Sequence, residues 1–263
     1  MIVSAVQCRV GVGEAFKSAE KLIEKGLNEG VEIFLLPEYF SYKVGDTSLE
    51  TSKKTLEWLR EKSEEYQAVL AGNVIRKDED GYYNTIYVFE KGELVATQDK
   101  LHPTRSEREL GIRCGRKLEI FEIKGVKFAA LICADILYPE LCRVAALKGA
   151  EIVLNPVVSF KRSELPSQRL RHCLYFSRAF DNAYAIVKAG GVGYTFLGEE
   201  CVGRSLIASH EGILASYENE NEEALISARI DLEKIRIYKR INYSLHDRNV
   251  NVLGDLLRGG MNC

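Results

Sequence analysis

Short apolar runs alternate along this chain with stretches whose apolar residues recur at helical spacing, and this alternation restricts the fold more than any other feature. Residues 2–6 read as a buried strand. In residues 14–29, Ala15, Phe16, Ala19, Leu22, Ile23 and Leu27 form one helical face, and Gly30 supplies a stop. Residues 31–36 are a second strand, ended by Pro37, and residues 49–66 a helix carrying the only tryptophan, Trp58. A strand over 68–75 precedes a hairpin, 82–89 and 94–98, that turns at Lys91-Gly92. Residues 100–117 are polar with little periodicity. Strands over 118–123 and 126–132 flank Lys124-Gly125. A helix over 139–148 follows, with Pro139 in its first turn. The spacing then predicts a strand at 151–154, a long helix over 164–182 and a strand at 184–189. Shorter strands near 205–208, 213–217 and 224–230 precede a helix from Leu232. Helices and strands alternate while hairpins intervene, so an α/β chain with mixed sheets and helices outside is predicted, in two or more layers. No linker or repeat divides the sequence, so residues 1–263 are expected to form one domain, with a tail from about residue 241.

The bulk properties narrow the function. Of 263 residues, 46% are hydrophobic and 28% charged, which argues against disorder. The net charge of −2 offers no basic surface for nucleic acid. No apolar run approaches the roughly 20 residues that a membrane helix needs. Residues 1–7 are uncharged and strand-like, so neither a signal nor a transit peptide is expected. Seven cysteines, at 8, 114, 133, 142, 173, 201 and 263, include no C-x-x-C pair. Free thiols in a reducing cytoplasm are the expectation, with no disulfide staple. Gly11-Val12-Gly13 lacks the third glycine of a dinucleotide turn, and no His or Cys cluster has metal-ligand spacing. No cofactor or metal is expected. Gly190-Gly191-Val192-Gly193 reads as a flexible loop near a pocket.

Three polar residues stand just after apolar strands: Glu38, Lys100 and Cys133. Each alone has an ordinary reading, as a solvated carboxylate, a surface lysine and a small buried hydrophobe. If their strands are neighbours, the three converge at one sheet edge, where open α/β sheets place their chemistry. A carboxylate can then take the thiol proton, and an ammonium favours the thiolate and a later oxyanion.

The chain resembles the nitrilase superfamily of carbon–nitrogen hydrolases. Leu35-Leu36-Pro37-Glu38-Tyr39-Phe40 is similar to the segment around that family's catalytic glutamate, and Asp99-Lys100-Leu101-His102 to its lysine segment. Leu131-Ile132-Cys133-Ala134-Asp135 with Tyr138-Pro139-Glu140-Leu141-Cys142-Arg143 resembles the nucleophile segment. Residues 149–156, 178–182 and 203–205 resemble later family segments, all in the family's order, from residue 1 to about 240. The resemblance implies a four-layer α-β-β-α sandwich with the triad Glu38, Lys100 and Cys133 in a pocket at the sheet ends. It also implies a second glutamate after the lysine. Glu107 and Glu109 are the candidates, and the offset of seven from Lys100 favours Glu107.

On this reading Glu38 is the base and later the acid, Cys133 the nucleophile that forms a thioester, and Lys100 with the Ala134 N–H the oxyanion site. Tyr39, Tyr138 and Phe160 are candidate pocket residues. Ala134-Asp135 after the cysteine, in place of the Trp-Glu usual in nitrilases, points to a small-molecule amide or N-carbamoyl substrate. Nitrile hydrolysis and a non-catalytic interaction protein are the alternatives. A Cys–His hydrolase using His102, His172 or His210 is a further rival, but strand alternation turns His102 away from Lys100's side. The pattern is departed from at Ala134, where an aromatic is common, at Gly190 and Gly191, and at His246-Asp247-Arg248-Asn249. The resemblance further implies a homodimer or higher homo-oligomer, paired through the helices at 139–148 and 164–182.

Overall fold

The computed structural model describes residues 1–161 and 168–254. Two six-stranded mixed sheets carry the architecture. The first runs Ala224–Arg229, Ile2–Gln7, Ile33–Leu35, Val69–Asp78, Gly81–Glu90, Glu93–Asp99, and the second Gly212–Ser216, Leu206–Ser209, Ala185–Gly190, Ile152–Val157, Val126–Ala130, Phe121–Ile123. In each sheet two consecutive parallel pairings are bounded by antiparallel ones, one on one side and two on the other.

Strand alternation explains the layering. Ile33 and Leu35 of the first sheet pack in one cluster with Phe128, Ala130, Leu154 and Val187 of the second, so these faces meet in the middle. Phe34, between Ile33 and Leu35, points the other way, onto Ala19, Ile23 and Leu59 of the helices Ala15–Asn28 and Leu49–Glu65. Ala129, Val153 and Ile186 likewise face Ala145, Tyr175 and Ala179 of the helices Pro139–Leu147 and Gln168–Asn182. Helix, sheet, sheet, helix is the layer order, as the motifs implied.

Most expected elements are present with ends shifted by a few residues. The expected helix start at Glu164 lies outside the described residues. The polar stretch contains a helix of one turn, Arg105–Glu109. The glycine loop at 190–193 is not a flexible loop. Gly190 ends a strand, and Val192–Tyr194 joins Arg9–Val10 and Glu200–Cys201 in a third, three-stranded sheet. A Cβ at Gly190 would meet the Gly203 carbonyl, and one at Gly191 would meet Val10, so these glycines permit close backbone approach. Cys8, Cys133, Cys142 and Cys201 are free thiols, but Cys114 is disulfide-bonded, contrary to expectation. Among the described residues no helix is long and apolar enough to cross a membrane.

Candidate active site

Each of the three candidate side chains follows the end of a strand. Glu38 follows Ile33–Leu35 and Lys100 follows Glu93–Asp99, both in the first sheet, whereas Cys133 follows Val126–Ala130 in the second. Closing the sandwich brings them to one cavity of about 240 Å³, with Glu107 beside them. Its walls include Tyr39, Val158, Phe160, Thr195, Phe196 and Leu197.

Lys100 is the hub. Its Nζ donates to Glu38 Oε1 at 2.8 Å and to Glu107 Oε2 at 2.7 Å, and the residue is 1% exposed. An ammonium has three donors, so one direction remains for a substrate oxygen. Asn84, from the middle of Gly81–Glu90, donates to Glu38 Oε1 at 2.7 Å and Glu107 Oε1 at 2.9 Å. Its own Oδ1 accepts from Asn73 Nδ2 at 3.1 Å. Tyr39 donates its hydroxyl to Glu107 Oε1 at 2.8 Å, and the Val158 N–H donates to Glu38 Oε2 at 3.1 Å. This last bond ties the two sheets across the site.

The one-turn helix places Glu107. Thr104 caps it, and Glu107 Oε2 accepts from the Thr104 N–H at 2.8 Å, a capping box. Of the two candidate glutamates, Glu107 is buried against Lys100, whereas Glu109 is exposed and pairs with Arg105 at 3.0 Å.

Cys133 opens a 3-10 turn, Cys133–Leu137, with φ 48°, in the left-handed region that side-chain-bearing residues seldom adopt. Asn155 holds this turn by donating to the carbonyls of Leu131 and of Cys133, the latter at 3.4 Å, and Tyr175 fixes Asn155 Oδ1 at 2.8 Å. The thiol lines the same cavity as Glu38 and donates to the Val158 carbonyl oxygen at 3.8 Å. Ala134 is the second residue of the turn, where backbone N–H groups have no acceptor within the helix.

Electrostatics follow from burial against one cation. Burial, with the charges of Glu38 and Glu107 against it, pushes the Cys133 thiol well above its ordinary range, and Lys100 offsets only part. Burial raises the Glu38 carboxyl despite Lys100. Burial acts on Glu107 too, but Lys100, Thr104 and Asn84 together hold it below its usual value. Lys100 is itself held fully protonated: Glu38, Cys133 and Glu107 outweigh its desolvation.

One sequence expectation changes place. Tyr138 is 42% exposed and outside the cavity lining; it stacks on His102 at 3.6 Å between ring centroids and 13° between planes. It follows the 3-10 turn and faces the outer side of the lysine segment, so it cannot reach the cavity. His102 points to Asp135, His172 belongs to the helix Gln168–Asn182, and His210 stacks on Tyr238, so none of the three lines the cavity. Asn84 and Asp135 carried no assigned role in the sequence reading.

A carbon–nitrogen hydrolase family model matches residues 2–240. The chain is 30% identical over 246 residues to a 2-oxoglutaramate amidase of Bacillus subtilis (strain 168), covering 88% of this chain and 91% of that protein. It is 28% identical over 245 residues to a nitrilase of Pyrococcus abyssi (strain GE5 / Orsay), covering 86% and 87%. A carbon–nitrogen hydrolase from Helicobacter pylori G27 superposes with a TM-score of 0.88 at 21% identity, covering 98% of both chains. An amidase variant from Nesterenkonia sp. AN1, solved with the acetamide moiety of fluoroacetamide added covalently at its active-site cysteine, gives 0.82 at 18% identity over 97% of both. With a family model matching nearly the whole chain and the sandwich shared with solved relatives, this protein belongs to the carbon–nitrogen hydrolase family of the nitrilase superfamily.

Proposed function

We propose that this chain hydrolyses a small amide or N-carbamoyl compound at a C–N bond other than a peptide bond, through a thioester on Cys133. The observation that carries this reading is Lys100 Nζ, held between Glu38 and Glu107 in the cavity that Cys133 also lines.

The resting thiol keeps its proton because two carboxylates and burial oppose a thiolate. Passing that proton to Glu38 leaves the cluster's net charge unchanged, since a carboxylate is neutralised as a thiolate forms. The raised Glu38 carboxyl makes it the better acceptor of the two. The sulfur attacks the carbonyl carbon, and the oxyanion takes Lys100's remaining donor and the Ala134 N–H. Glu38 returns the proton to the leaving nitrogen, then activates water to release the acid from the thioester. Glu107, ionised throughout, orients Lys100 and keeps it charged. Val158, Phe160, Phe196 and Leu197 wall the cavity with apolar surface, which suits a short acyl group. The 2-oxoglutaramate amidase relative supports an amide over a nitrile.

The helices Pro139–Leu147 and Gln168–Asn182 expose Val144, Leu147, Phe176 and Phe180, which supports pairing of two copies through that layer.

Ammonia release across short amides, N-carbamoyl amines and aliphatic nitriles tests the reading. The parent should release ammonia from amides or carbamoyl compounds, and folded Cys133→Ala should not. Turnover of nitriles alone, or of amides at the parent rate by Cys133→Ala, would refute it.

A further inference from the structure

Asp135 lies two residues after the nucleophile, is completely buried, and takes no part in the chemistry described above. Its two oxygens have four partners. Oδ1 accepts from the His102 N–H at 2.8 Å and faces His102 Nδ1 at 3.0 Å. Oδ2 accepts from the Leu101 N–H at 3.2 Å and the Ile132 N–H at 3.0 Å. Leu101 and His102 directly follow Lys100, and Ile132 directly precedes Cys133. The lysine segment leaves the first sheet and the cysteine segment leaves the second. One carboxylate therefore spans the seam of the sandwich at the two points where its catalytic groups emerge. Tyr138 stacks on the outer face of the His102 ring and holds that ring on Asp135.

We infer that Asp135 and His102 are a positioning pair that sets the distance and direction of Lys100 toward the Cys133 sulfur. The inference deepens the hydrolase reading and rests on its assignment of Lys100 and Cys133. Backbone N–H bonds to a carboxylate are of the charge-assisted kind, stronger than neutral ones, and three of these act on backbone rather than on a mobile side chain. They also fix the imidazole: with Asp135 as acceptor, Nδ1 carries the proton. This gives His102 work that is neither base nor ligand.

Asp135→Asn is the nearest isostere, and its failure can be followed atom by atom. One oxygen becomes an NH2 group. Placed at Oδ2, it confronts the N–H groups of Leu101 and Ile132 with another donor. Placed at Oδ1, it confronts the His102 N–H, although the imidazole can change tautomer and accept from it. In either orientation the lysine segment loses a backbone acceptor.

The intact chain is assayed in two ways: hydrolysis of the best substrate found, and alkylation of Cys133 by iodoacetamide against pH, read by peptide mass. For Asp135→Asn, kcat should fall on the order of 10²-fold, the loss expected from a misplacement of about 1 Å, with KM little changed. The alkylation profile should move to higher pH by about one unit, because the ammonium no longer sits as close to the sulfur. His102→Ala should shift both readouts in the same direction by less, and His102→Asn, which retains a donor near Nδ1, should recover part of that loss. A purely structural Asp135 would lower Tm and leave the alkylation profile of the folded protein in place. Folded Asp135→Asn with the parent's kcat and profile would overturn the inference. If Asp135→Asn does not fold, a His102→Ala profile superimposable on the parent's overturns it equally. Alkylation needs no turnover, so a parent that hydrolyses nothing would sink the proposed function while a shifted profile still upheld the positioning pair.

Discussion

Replacing Lys100 by methionine should destabilise the protein most at high pH. The Nζ is 2.8 Å from Glu38 and 2.7 Å from Glu107, at 1% exposure. Methionine fills much of the stem's volume but leaves two buried carboxylates, bridged by Asn84, with no cation between them. Breaking a buried ion pair from one side costs about 3–5 kcal/mol. For a domain of this size that corresponds to a fall in Tm of roughly 6–20 °C. The sign with pH follows from linkage. In the parent, Glu107 is held below its unfolded value, so its contribution is complete above that value and is lost only as pH falls through the depressed one. Without Lys100, burial is opposed only by the remaining hydrogen bonds to each carboxyl, and both should shift upward, above their unfolded values. The variant's native state then binds protons before the unfolded chain does, so it gains stability as pH falls from 8 toward 5. Thermal denaturation followed by circular dichroism across that range checks this. The Tm gap between parent and Lys100→Met should be widest at pH 8 and should narrow toward pH 5. A gap that is constant, or that widens on acidification, would mean that the two carboxylates do not depend on Lys100 for their charge.

Glu107→Gln should lower kcat on the order of 10²-fold by loosening Lys100, while Glu109→Gln on the exposed face should stay within about twofold of the parent; equal losses in the steady-state rates would reverse that assignment. Tyr39 and Phe196 pack at 4.8 Å between centroids and separate the catalytic cavity from a neighbouring one of about 400 Å³, bordered by Leu49, Tyr82 and Leu110. Phe196→Ala should join the two and raise kcat/KM for bulky apolar amides relative to short ones by about tenfold or more; an unchanged ratio would show that Phe196 does not set the size limit.

What was legible in the sequence follows the strength of local signals. Glu38, Lys100 and Cys133 stand out because each ends an apolar run, and a strand's carboxyl end is a place that sequence pattern can locate. Choosing Glu107 over Glu109 was open to a local argument too. Thr104-Arg105-Ser106-Glu107 has the spacing of a capping box, a pattern that turns the first-turn glutamate back toward its cap. Asn84 was not legible, because a single asparagine among Tyr82, Tyr83 and Thr85 has no periodic partner, and its worth lies in two glutamates contributed by other segments. The third sheet escaped for a related reason. Its strands are two or three residues long, too short for alternation to register, and glycines that read as freedom serve close packing. Tyr138 was misplaced because proximity in sequence to Cys133 says nothing about which side of a 3-10 turn a side chain leaves.

The same geometry explains why the site cannot exist before the fold is complete. Neither sheet alone carries a working set: the first supplies acid and cation, the second the sulfur. The cation on its own would bind two carboxylates into an inert ion cluster, and the thiol on its own would be a buried, protonated cysteine. On the proposed mechanism, the Glu38–Val158 bond and the four contacts of Asp135 close the seam that brings these groups together. Activity should therefore be lost with the packing of sheet on sheet, before the outer helices melt. Heating the protein while following both alkylation of Cys133 and far-ultraviolet circular dichroism tests this order. The catalytic pH profile of the thiol should disappear at or below the temperature at which helicity falls. A profile that survives helix loss would mean that the cluster is assembled by local contacts and not by the sandwich.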